Sequence, residues 1–299
     1  MLQSGLFVVM GLPARPVPEP HEKDLMKHSS SFPLTAAQQD IWLDQLRVGD
    51  SPLYNIGGYV DFAGPIAQGL MQRAIELLVL KHDALRTQLH TDANGLPRQT
   101  FATTVPVDMA LHDVSGEPDP KAASHALMQA QMAWPFTLQG APLFRFFLVK
   151  LDDDHYRLGT QAHHLILDGW GFGQMLQSLA RLYTDLQQAR QPELLAPSYI
   201  DFIDADERYH ASARYARDRG YWLGKYQVLP EPLLTPRNNA KASSNTLAQA
   251  FPVALLNRME QVANRYQSSA FHVLLAAMYV YFTRTAQRPE WVVGLPILN

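Results

Sequence analysis

The sequence contains no cysteine among its 299 residues. This absence excludes disulfide scaffolds, thiol nucleophiles and cysteine-ligated zinc, and it favours a reducing compartment. The chain also lacks an excess of either charge, because 25 basic residues meet 28 acidic ones and the net charge is −3. Binding to nucleic acid or to an anionic membrane surface normally needs a basic surplus. We therefore expect neither of these partners.

Long apolar runs are also missing. No run approaches the ~20 residues that cross a bilayer. Residues 6–12, LFVVMGL, are apolar but short, and no Lys or Arg precedes them as in a secretory signal. Apolar residues make up 47% and charged residues 18% of the chain, which is ordinary for a globular protein. The predicted location is the cytoplasm.

The spacing of apolar residues predicts an α+β fold. Apolar residues recur at helical spacing in the segments 33–46, 66–89 and 171–190. The predicted stripes of the last two are Ile66, Leu70, Ala74, Leu77 and Leu78, and Phe172, Leu176, Leu179, Tyr183 and Leu186. Helices are also predicted over 120–133, 200–227, 252–266 and 270–285. Strands are predicted at 54–64, 143–151, 156–167 and 290–299. The short turn DDDH joins the second and third of these strands. So short a connection predicts an antiparallel hairpin.

Composition suggests four segments along the chain. Residues 1–31 hold four prolines within eight positions and are predicted to form an extended leader. Residues 32–190 are predicted to form one lobe, residues 191–245 a linker and crossing segment, and residues 246–299 the start of a second lobe. Because the sequence stops on an apolar, buried-looking strand whose backbone would be left unpaired, we expect the chain to be cut short.

The stretch QAHHLILDGWGFG (161–173) places two adjacent histidines in an apolar run. If the run is a strand, successive side chains point to opposite faces, so His163 and His164 diverge and cannot easily bind one metal ion. Core packing is the alternative, but two buried polar rings must each find hydrogen-bond partners. Asp168 on its own is typical of a helix cap. Together these residues fit a general base held on a rigid strand, and no metal site is predicted.

The pattern H-H-x-x-x-D-G at 163–169 resembles the signature of the condensation domains of non-ribosomal peptide synthetases. It also resembles that of the wider chloramphenicol-acetyltransferase-like acyltransferases. Other stretches resemble motifs of the family, in the family's order: LTAAQQDIWLDQ (34–45), KHDALRTQL (81–89), PFTLQGAPLFR (135–145), YIDFIDADERY (199–209), YWLGKY (221–226) and VVGLPILN (292–299). Asp40 departs from the basic residue usual there, and the arginine that follows G-x-P in the family would come one residue after Asn299.

The resemblance implies a two-layer α/β sandwich: a chloramphenicol-acetyltransferase-like lobe plus the start of a second similar lobe. His164 matches the histidine that the family uses at the reaction centre, while His163 and Asp168 would be mainly structural. In the family the aspartate pairs with an arginine, so this chain is expected to bury Asp168 without that partner. Gly169 matches the small residue that keeps the channel open beside the base.

Two further residues belong to this predicted site region. Trp170 follows the H-H-x-x-x-D-G pattern and is expected to support the site without a catalytic role. Arg86 lies in KHDALRTQL, which resembles a fold-stabilising motif, so it is not expected to be catalytic.

The activity implied by the resemblance is amide formation. A carrier-bound aminoacyl amine attacks the thioester of a carrier-bound acyl or peptidyl group, and both arrive on phosphopantetheine arms as substrates. His164 would either accept the proton of the amine or stabilise the tetrahedral species, and both roles stay open. The implied partners are carrier domains and other synthetase modules, with no bound cofactor.

Three functions remain to be separated. Because about a third of a full condensation domain is missing, the chain is expected to be weakly active or inactive alone. Besides the condensation domain, two alternative hypotheses stay open. One is a stand-alone acyltransferase that uses coenzyme A thioesters, and the other is a non-catalytic domain that docks carrier proteins.

Overall fold

The computed structural model describes residues 30–234 and 249–295. Its strands are β1 (Phe32–Pro33), β2 (Asn55–Ala63), β3 (Thr87–Thr91), β4 (Pro97–Phe101), β5 (Met109–Asp113), β6 (Phe144–Lys150) and β7 (His155–His163). Its α-helices are α1 (Ala36–Val48), α2 (Gln68–Lys81), α3 (Pro120–Met132), α4 (Gly169–Gln187), α5 (Tyr199–His210), α6 (Ala213–Lys225), α7 (Val253–Arg265) and α8 (Ala270–Ala286). This mixture confirms the predicted α+β class.

Two sheets organise the first part of the chain. The larger has the strand order β2-β7-β6-β5, in which β7 pairs antiparallel with both β2 and β6, and β5 pairs parallel with β6. The smaller sheet has the order β1-β4-β3 and is antiparallel throughout. The hairpin of β6 and β7 confirms the pairing predicted from the turn DDDH. It also makes β7, which ends on His163, an inner strand of the larger sheet.

The core forms because β6 is apolar on both faces. Alternate side chains of a strand point to opposite sides. Phe144, Phe146 and Leu148 pack in one cluster with buried residues of α2 and α4. Phe147 and Val149, which alternate with them, pack in a second cluster with Met128 of α3. The larger sheet therefore has helices on both faces, and α2 and α4 occupy the same one.

The apolar stripes predicted for two helices are confirmed. Ala74, Leu77 and Leu78 of α2 are buried, and so are Leu179 and Tyr183 of α4. The other apolar residues predicted on these stripes pack against the same cluster: Ile66, Leu70, Phe172, Leu176 and Leu186.

The helix predicted over 66–89 is too long. Helix α2 ends at Lys81, because His82 is extended and residues 83–86 form a 3-10 turn before β3. Arg86 stabilises this end. Its Nη1 donates to the carbonyls of Val79, at 2.7 Å, and Leu80, and its Nε donates to the carbonyl of Ala102 at 2.8 Å.

Two motifs that are far apart in sequence meet at the start of α5. The carboxylate of Asp83, from KHDALRTQL, accepts hydrogen bonds from the hydroxyl of Ser198 at 2.5 Å and from the amide of Tyr199 at 3.0 Å. An acceptor at this end satisfies amides that the helix cannot pair internally. Ile200 and Ile203 then pack on Phe101 of β4. This packing fixes α5 against the smaller sheet.

The segment 200–227, predicted to be helical, forms two helices. Helix α5 ends at His210, and the hydroxyl of Ser212 caps α6 by accepting from the amide of Tyr215. A serine that bonds the backbone in this way starts a new helix rather than continuing the old one.

Helices α7 and α8 pack on each other but leave most of their apolar side chains exposed. Phe271, Tyr279 and Tyr281 are examples on α8, and of the residues of the two helices only Ala263 is buried. An ion pair between Arg288 and Glu231, at 2.6 Å, links the segment after α8 to the segment after α6. The assignment of residues 246–299 to a second lobe stays a prediction.

The strand predicted over 290–299 is wrong for residues 290–295, which form no strand. Residues 296–299 lie outside the described residues. Most of the predicted leader, at 1–29, and residues 235–245 of the predicted crossing segment also lie outside them. Within the described ranges, no helix combines the length and apolarity that a membrane crossing requires.

Candidate active site at the end of β7

The predicted strand over 156–167 stops at His163, and the chain then turns before α4 begins at Gly169. His163 completes the sheet by donating its amide to the carbonyl of Leu143 at 2.9 Å. The amide of His164 donates to the carbonyl of Tyr54 at 2.8 Å, and the amide of Ile166 donates back to the carbonyl of His163 at 3.0 Å. His164 is therefore a turn residue, held by its backbone at the edge of an ordered strand.

The ring of His163 is buried, with 1% of the residue exposed. Its Nδ1 accepts the amide of Leu165 at 3.1 Å, and its Nε2 lies 3.3 Å from Oε1 of Gln45. Burial lowers the pKa of His163 to about 4, with a smaller contribution from the neighbouring His164. The ring is consequently neutral at neutral pH, and both of its nitrogens are bonded.

Aromatic rings enclose His163 on two sides. The centroids of the Tyr54 and Phe136 rings each lie 6.1 Å from that of His163, and Phe136 meets it edge to face. Arg145 holds the loop that carries Phe136. Its guanidinium donates to the carbonyls of Trp134 and Pro135 and lies 4.0 Å from the centroid of Phe136. The loop that carries Phe136 thus covers one side of the His163 ring.

His164 differs from its neighbour in both burial and bonding. The residue is half-buried. Its amide is anchored to Tyr54, yet its ring has no hydrogen-bond partner among the described residues. A ring nitrogen with no protein partner can accept or donate a proton when a substrate arrives. Of the two histidines, only His164 combines a fixed backbone with unoccupied ring nitrogens.

Asp168 is exposed, so the expectation that it is buried without an arginine is wrong. Its carboxylate accepts the amide of Gly171 at 2.7 Å and caps α4. The turn after His163 brings Asp168 to the helix end, where solvent and the amide satisfy it. Asp168 therefore acts as the helix cap that its residue type predicts, and not as half of a buried ion pair.

Two neighbours of Asp168 lie at the start of α4. Gly169 is exposed, and a methyl group added there would meet no atom within 4 Å. Trp170 is 61% exposed. Both are close to the turn in sequence and accessible from outside. Their predicted support of the site stays a prediction.

Arg86 is not brought to the histidines. Its side-chain hydrogen bonds go to three backbone carbonyls at the end of α2 and just after β4. Burial lowers the pKa of its guanidinium, opposed by the nearby charge of Asp83. The arrangement is that of a residue that ties two segments of backbone together.

Two residues that contact this region were not predicted. Gln45, from α1, meets His163. The available signal in the sequence was its position three residues after Trp42 and four after Ile41, on the helix face that carries apolar residues. Asn55 donates to the carbonyls of Met132 and Trp134 and so joins β2 to the loop that carries Phe136. Nothing in the local sequence distinguished Asn55 from an ordinary strand residue.

No group of three or more His, Asp or Glu side chains within 30–234 and 249–295 is arranged to hold a metal ion. A hollow of about 700 Å³ is lined by Asp61, His155 and Arg157, among others. It lies at the opposite end of β7 from His163, roughly 26 Å away along a nine-residue strand. This hollow is therefore separate from the histidine pair.

Comparison with known proteins relates the whole described fold to one family. The sequence pattern of the family described as "Condensation domain" matches residues 28–299. The chain is 28% identical over 283 residues to a dimodular nonribosomal peptide synthase of Bacillus subtilis, covering 94% of this chain and 12% of that protein. It is 29% identical over 271 residues to an isonitrile lipopeptide synthase of Streptomyces coeruleorubidus, covering 89% of this chain and 18% of that protein.

Solved structures show the same similarity. The first condensation domain of the CDA synthetase superposes with a TM-score of 0.75 and 25% identity, over 87% of this chain and 63% of that one. The first condensation domain of the calcium-dependent antibiotic synthetase, in complex with a substrate analogue, superposes with a TM-score of 0.77 and 27% identity. The match covers 87% of this chain and 62% of that one. The starter condensation domain of rhizomide synthetase RzmA superposes with a TM-score of 0.68 and 28% identity, over 87% of this chain and 60% of that one. The chain thus spans about three fifths of these domains, and the predicted chloramphenicol-acetyltransferase-like architecture is confirmed.

Proposed function

The chain belongs to the condensation-domain family of non-ribosomal peptide synthetases, and we propose that it joins a carrier-bound acyl or peptidyl thioester to a carrier-bound aminoacyl amine. The observation that carries this proposal is the half-buried ring of His164, which has no partner among the described residues and stands on a backbone fixed by Tyr54. A reacting group needs this combination of rigidity and unoccupied nitrogens.

The chemistry requires little activation, because a thioester already has a good leaving group. The amine nitrogen attacks the thioester carbon, the carbon–sulfur bond breaks, and the proton lost by nitrogen ends on the departing thiol. His164 would accept that proton, or donate to the oxygen of the tetrahedral species. General acid–base assistance of this kind is worth about 10²–10⁴-fold, and holding the two reactants together adds the proximity gain.

The other residues of the stretch have supporting roles in this proposal. His163 is neutral and bonded at both nitrogens, so it has no free position for substrate and would hold the turn. Asp168 caps α4. The open space around Gly169 supports its predicted place beside the substrate channel.

We propose that this chain reacts more slowly alone than a full condensation domain does. It spans 60 to 63% of the solved domains that it resembles. In addition, helices α7 and α8 expose large apolar side chains such as Phe271 and Tyr281. If these apolar surfaces of α7 and α8 normally pack against a second wall of the substrate channel, the channel of this chain is incomplete while they are uncovered. The two substrates would then be held less firmly, and the reaction would be slower.

The proposed partners are carrier domains and neighbouring synthetase modules. The chain covers only 12% and 18% of the lengths of two synthetases that resemble it, so those relatives are much larger proteins. The phosphopantetheine arms of the carriers would enter as parts of the substrates.

One assay tests the proposed function and separates it from its two rivals. Purified chain is mixed with an acyl-loaded carrier and an aminoacyl-loaded carrier, and the amide product is followed by mass spectrometry. The same amine is also offered with the acyl group on coenzyme A in place of the donor carrier. Slow product that requires both carriers supports the proposal. Product of equal rate from the coenzyme A thioester would favour a stand-alone acyltransferase, and carrier binding without any product would favour a docking domain.

A further inference from the structure

Helix α1 carries two buried glutamine side chains, Gln38 and Gln45, which are 3% and 5% exposed. Seven residues separate them, close to two turns of 3.6 residues, so they lie on the same face of α1. Both reach the turn that follows β7, at residues 163–166. Glutamine is seldom fully buried, and a buried amide must be bonded. The partners of this pair therefore indicate what the pair is for.

The amide of Gln45 has only one orientation that fits its neighbours. Its Nε2 donates to the carbonyl of Gly49 and, at 3.2 Å, to the carbonyl of Ser51. Carbonyls cannot donate, so the amide oxygen must be the atom that faces His163. The proton of the His163 ring is then on Nε2, and Nδ1 is left to accept the amide of Leu165.

Gln38 holds the other side of Leu165. Its Nε2 donates to the carbonyl of Leu165 at 2.9 Å. The two amides of Gln38 and Gln99 also pair with each other, at 3.0 and 2.8 Å, and Gln99 donates to the carbonyl of Pro33. Leu165 is thus bonded at its amide by His163 and at its carbonyl by Gln38. These bonds fix the peptide units on the far side of His164.

We propose that Gln38 and Gln45 are positioning residues that hold the turn so that the ring of His164 stays at the point of reaction. Within the described structure neither glutamine is hydrogen-bonded to the ring of His164; each acts through Leu165 or His163. The inference rests on the proposed function, because it needs His164 to be the reacting group. It adds that α1, more than 110 residues earlier in the chain, sets the geometry of the site.

The test uses the whole chain with Gln45→Met and Gln38→Met, which keep side-chain length but remove the hydrogen bonds. Two controls accompany them. Gln39→Met changes an exposed neighbour on α1, and Val149→Ala weakens the separate cluster of Phe147 and Met128 without touching the turn. Amide hydrogen exchange of Leu165 is measured by NMR. Both glutamine variants should exchange about tenfold faster or more at this amide, while the controls follow the wild type once global stability is allowed for.

A second readout is the protonation pattern of His163, followed in ¹⁵N-histidine spectra. The wild type should show the Nε2–H form, with a slowly exchanging ring proton. In Gln45→Met that proton should exchange about tenfold faster or more, because its acceptor is gone. The third readout is kinetic. Both variants should lower kcat about tenfold with KM unchanged, since substrate contacts are intact and only the alignment is lost.

Unchanged protection of Leu165 in both glutamine variants would overturn the proposal, whatever their activity. A loosened turn with wild-type kcat would overturn the positioning role. Failure of the proposed function is a different result: His164→Ala would then form product as fast as the wild type. That outcome leaves the exchange measurements as they are, so the two failures are distinguishable.

Discussion

The ring of His163 is bonded from both sides, to Oε1 of Gln45 at Nε2 and to the amide of Leu165 at Nδ1. A second ring proton would sit on Nδ1 and point directly at the N–H of Leu165. The folded protein therefore disfavours the charged ring, and burial, with a smaller contribution from the neighbouring His164, lowers its pKa to about 4. One consequence is a stability that depends on pH.

Stability should fall as the pH falls from about 6.5 to 4. In the unfolded chain His163 takes up its proton near its ordinary pKa of about 6.5, whereas the folded ring resists until about 4. The unfolded state thus binds more protons in this window, and the loss amounts to about 3 kcal/mol before it levels off below pH 4.

The check is urea unfolding of the wild type and of His163→Gln at several pH values. The difference in unfolding free energy between them should shrink by about this amount over the window. A difference that does not change with pH would show that His163 is not the group responsible. Gln39→Met, an exposed change on α1, should keep the wild-type slope.

Replacing Arg86 with lysine should destabilise the fold. A lysine ammonium cannot reach the carbonyls of Val79, Leu80 and Ala102 together as the guanidinium does. We expect a loss of about 3 kcal/mol in unfolding free energy, since buried carbonyls are left unpaired. The matched change Arg73→Lys, at a half-exposed pair with Glu76 on α2, should cost under about 1 kcal/mol. Equal effects of the two changes would contradict the account.

Asp168 should behave as a helix cap. Asp168→Ala removes the acceptor for the amide of Gly171 and should cost about 1 kcal/mol, while Asp168→Asn keeps an acceptor and should cost a few tenths. Thermal and urea unfolding would measure both. A large loss in the asparagine variant would instead indicate that the charge has a partner that needs it.

Two glycines at the start of α4 should respond differently to a methyl group. In Gly169→Ala the methyl meets nothing within 4 Å, so the helix should gain up to about 1 kcal/mol. In Gly171→Ala it would come within 3.0 Å of Cδ1 of Leu167 and 3.1 Å of Oδ1 of Asp168, which should cancel that gain or reverse it. Unfolding free energies of the two variants test this order, and a more stable Gly171→Ala would contradict it.

Long, strongly periodic elements were predictable from the sequence, and short ones were not. The stripes of α2 and α4 and the β6–β7 hairpin follow from apolar spacing and a four-residue turn. Strands β3 and β5 have five residues each with polar neighbours, and only Thr87, Leu89 and Met109 in them are buried. Such segments gain their strand structure from pairing, which local spacing does not reveal.

The sequence indicated candidate residues for the site but not their geometry. The family pattern identified His163, His164 and Asp168. The bend after His163 arises because its own ring accepts the amide of Leu165, an interaction that apolar spacing cannot indicate. Gln45 lies 118 positions from His163. Contacts over such separations depend on the packing of α1 against the sheet.

The role of His164 is tested most directly by single-turnover amide formation with both carriers loaded, comparing the wild type with His164→Ala. Because the ring is half-buried and has no partner among the described residues, the variant should unfold at the wild-type temperature. We expect the wild type to form the amide slowly and the variant to be slower by about 10²-fold or more. Equal rates in the two proteins, or no amide from the wild type, would contradict the account.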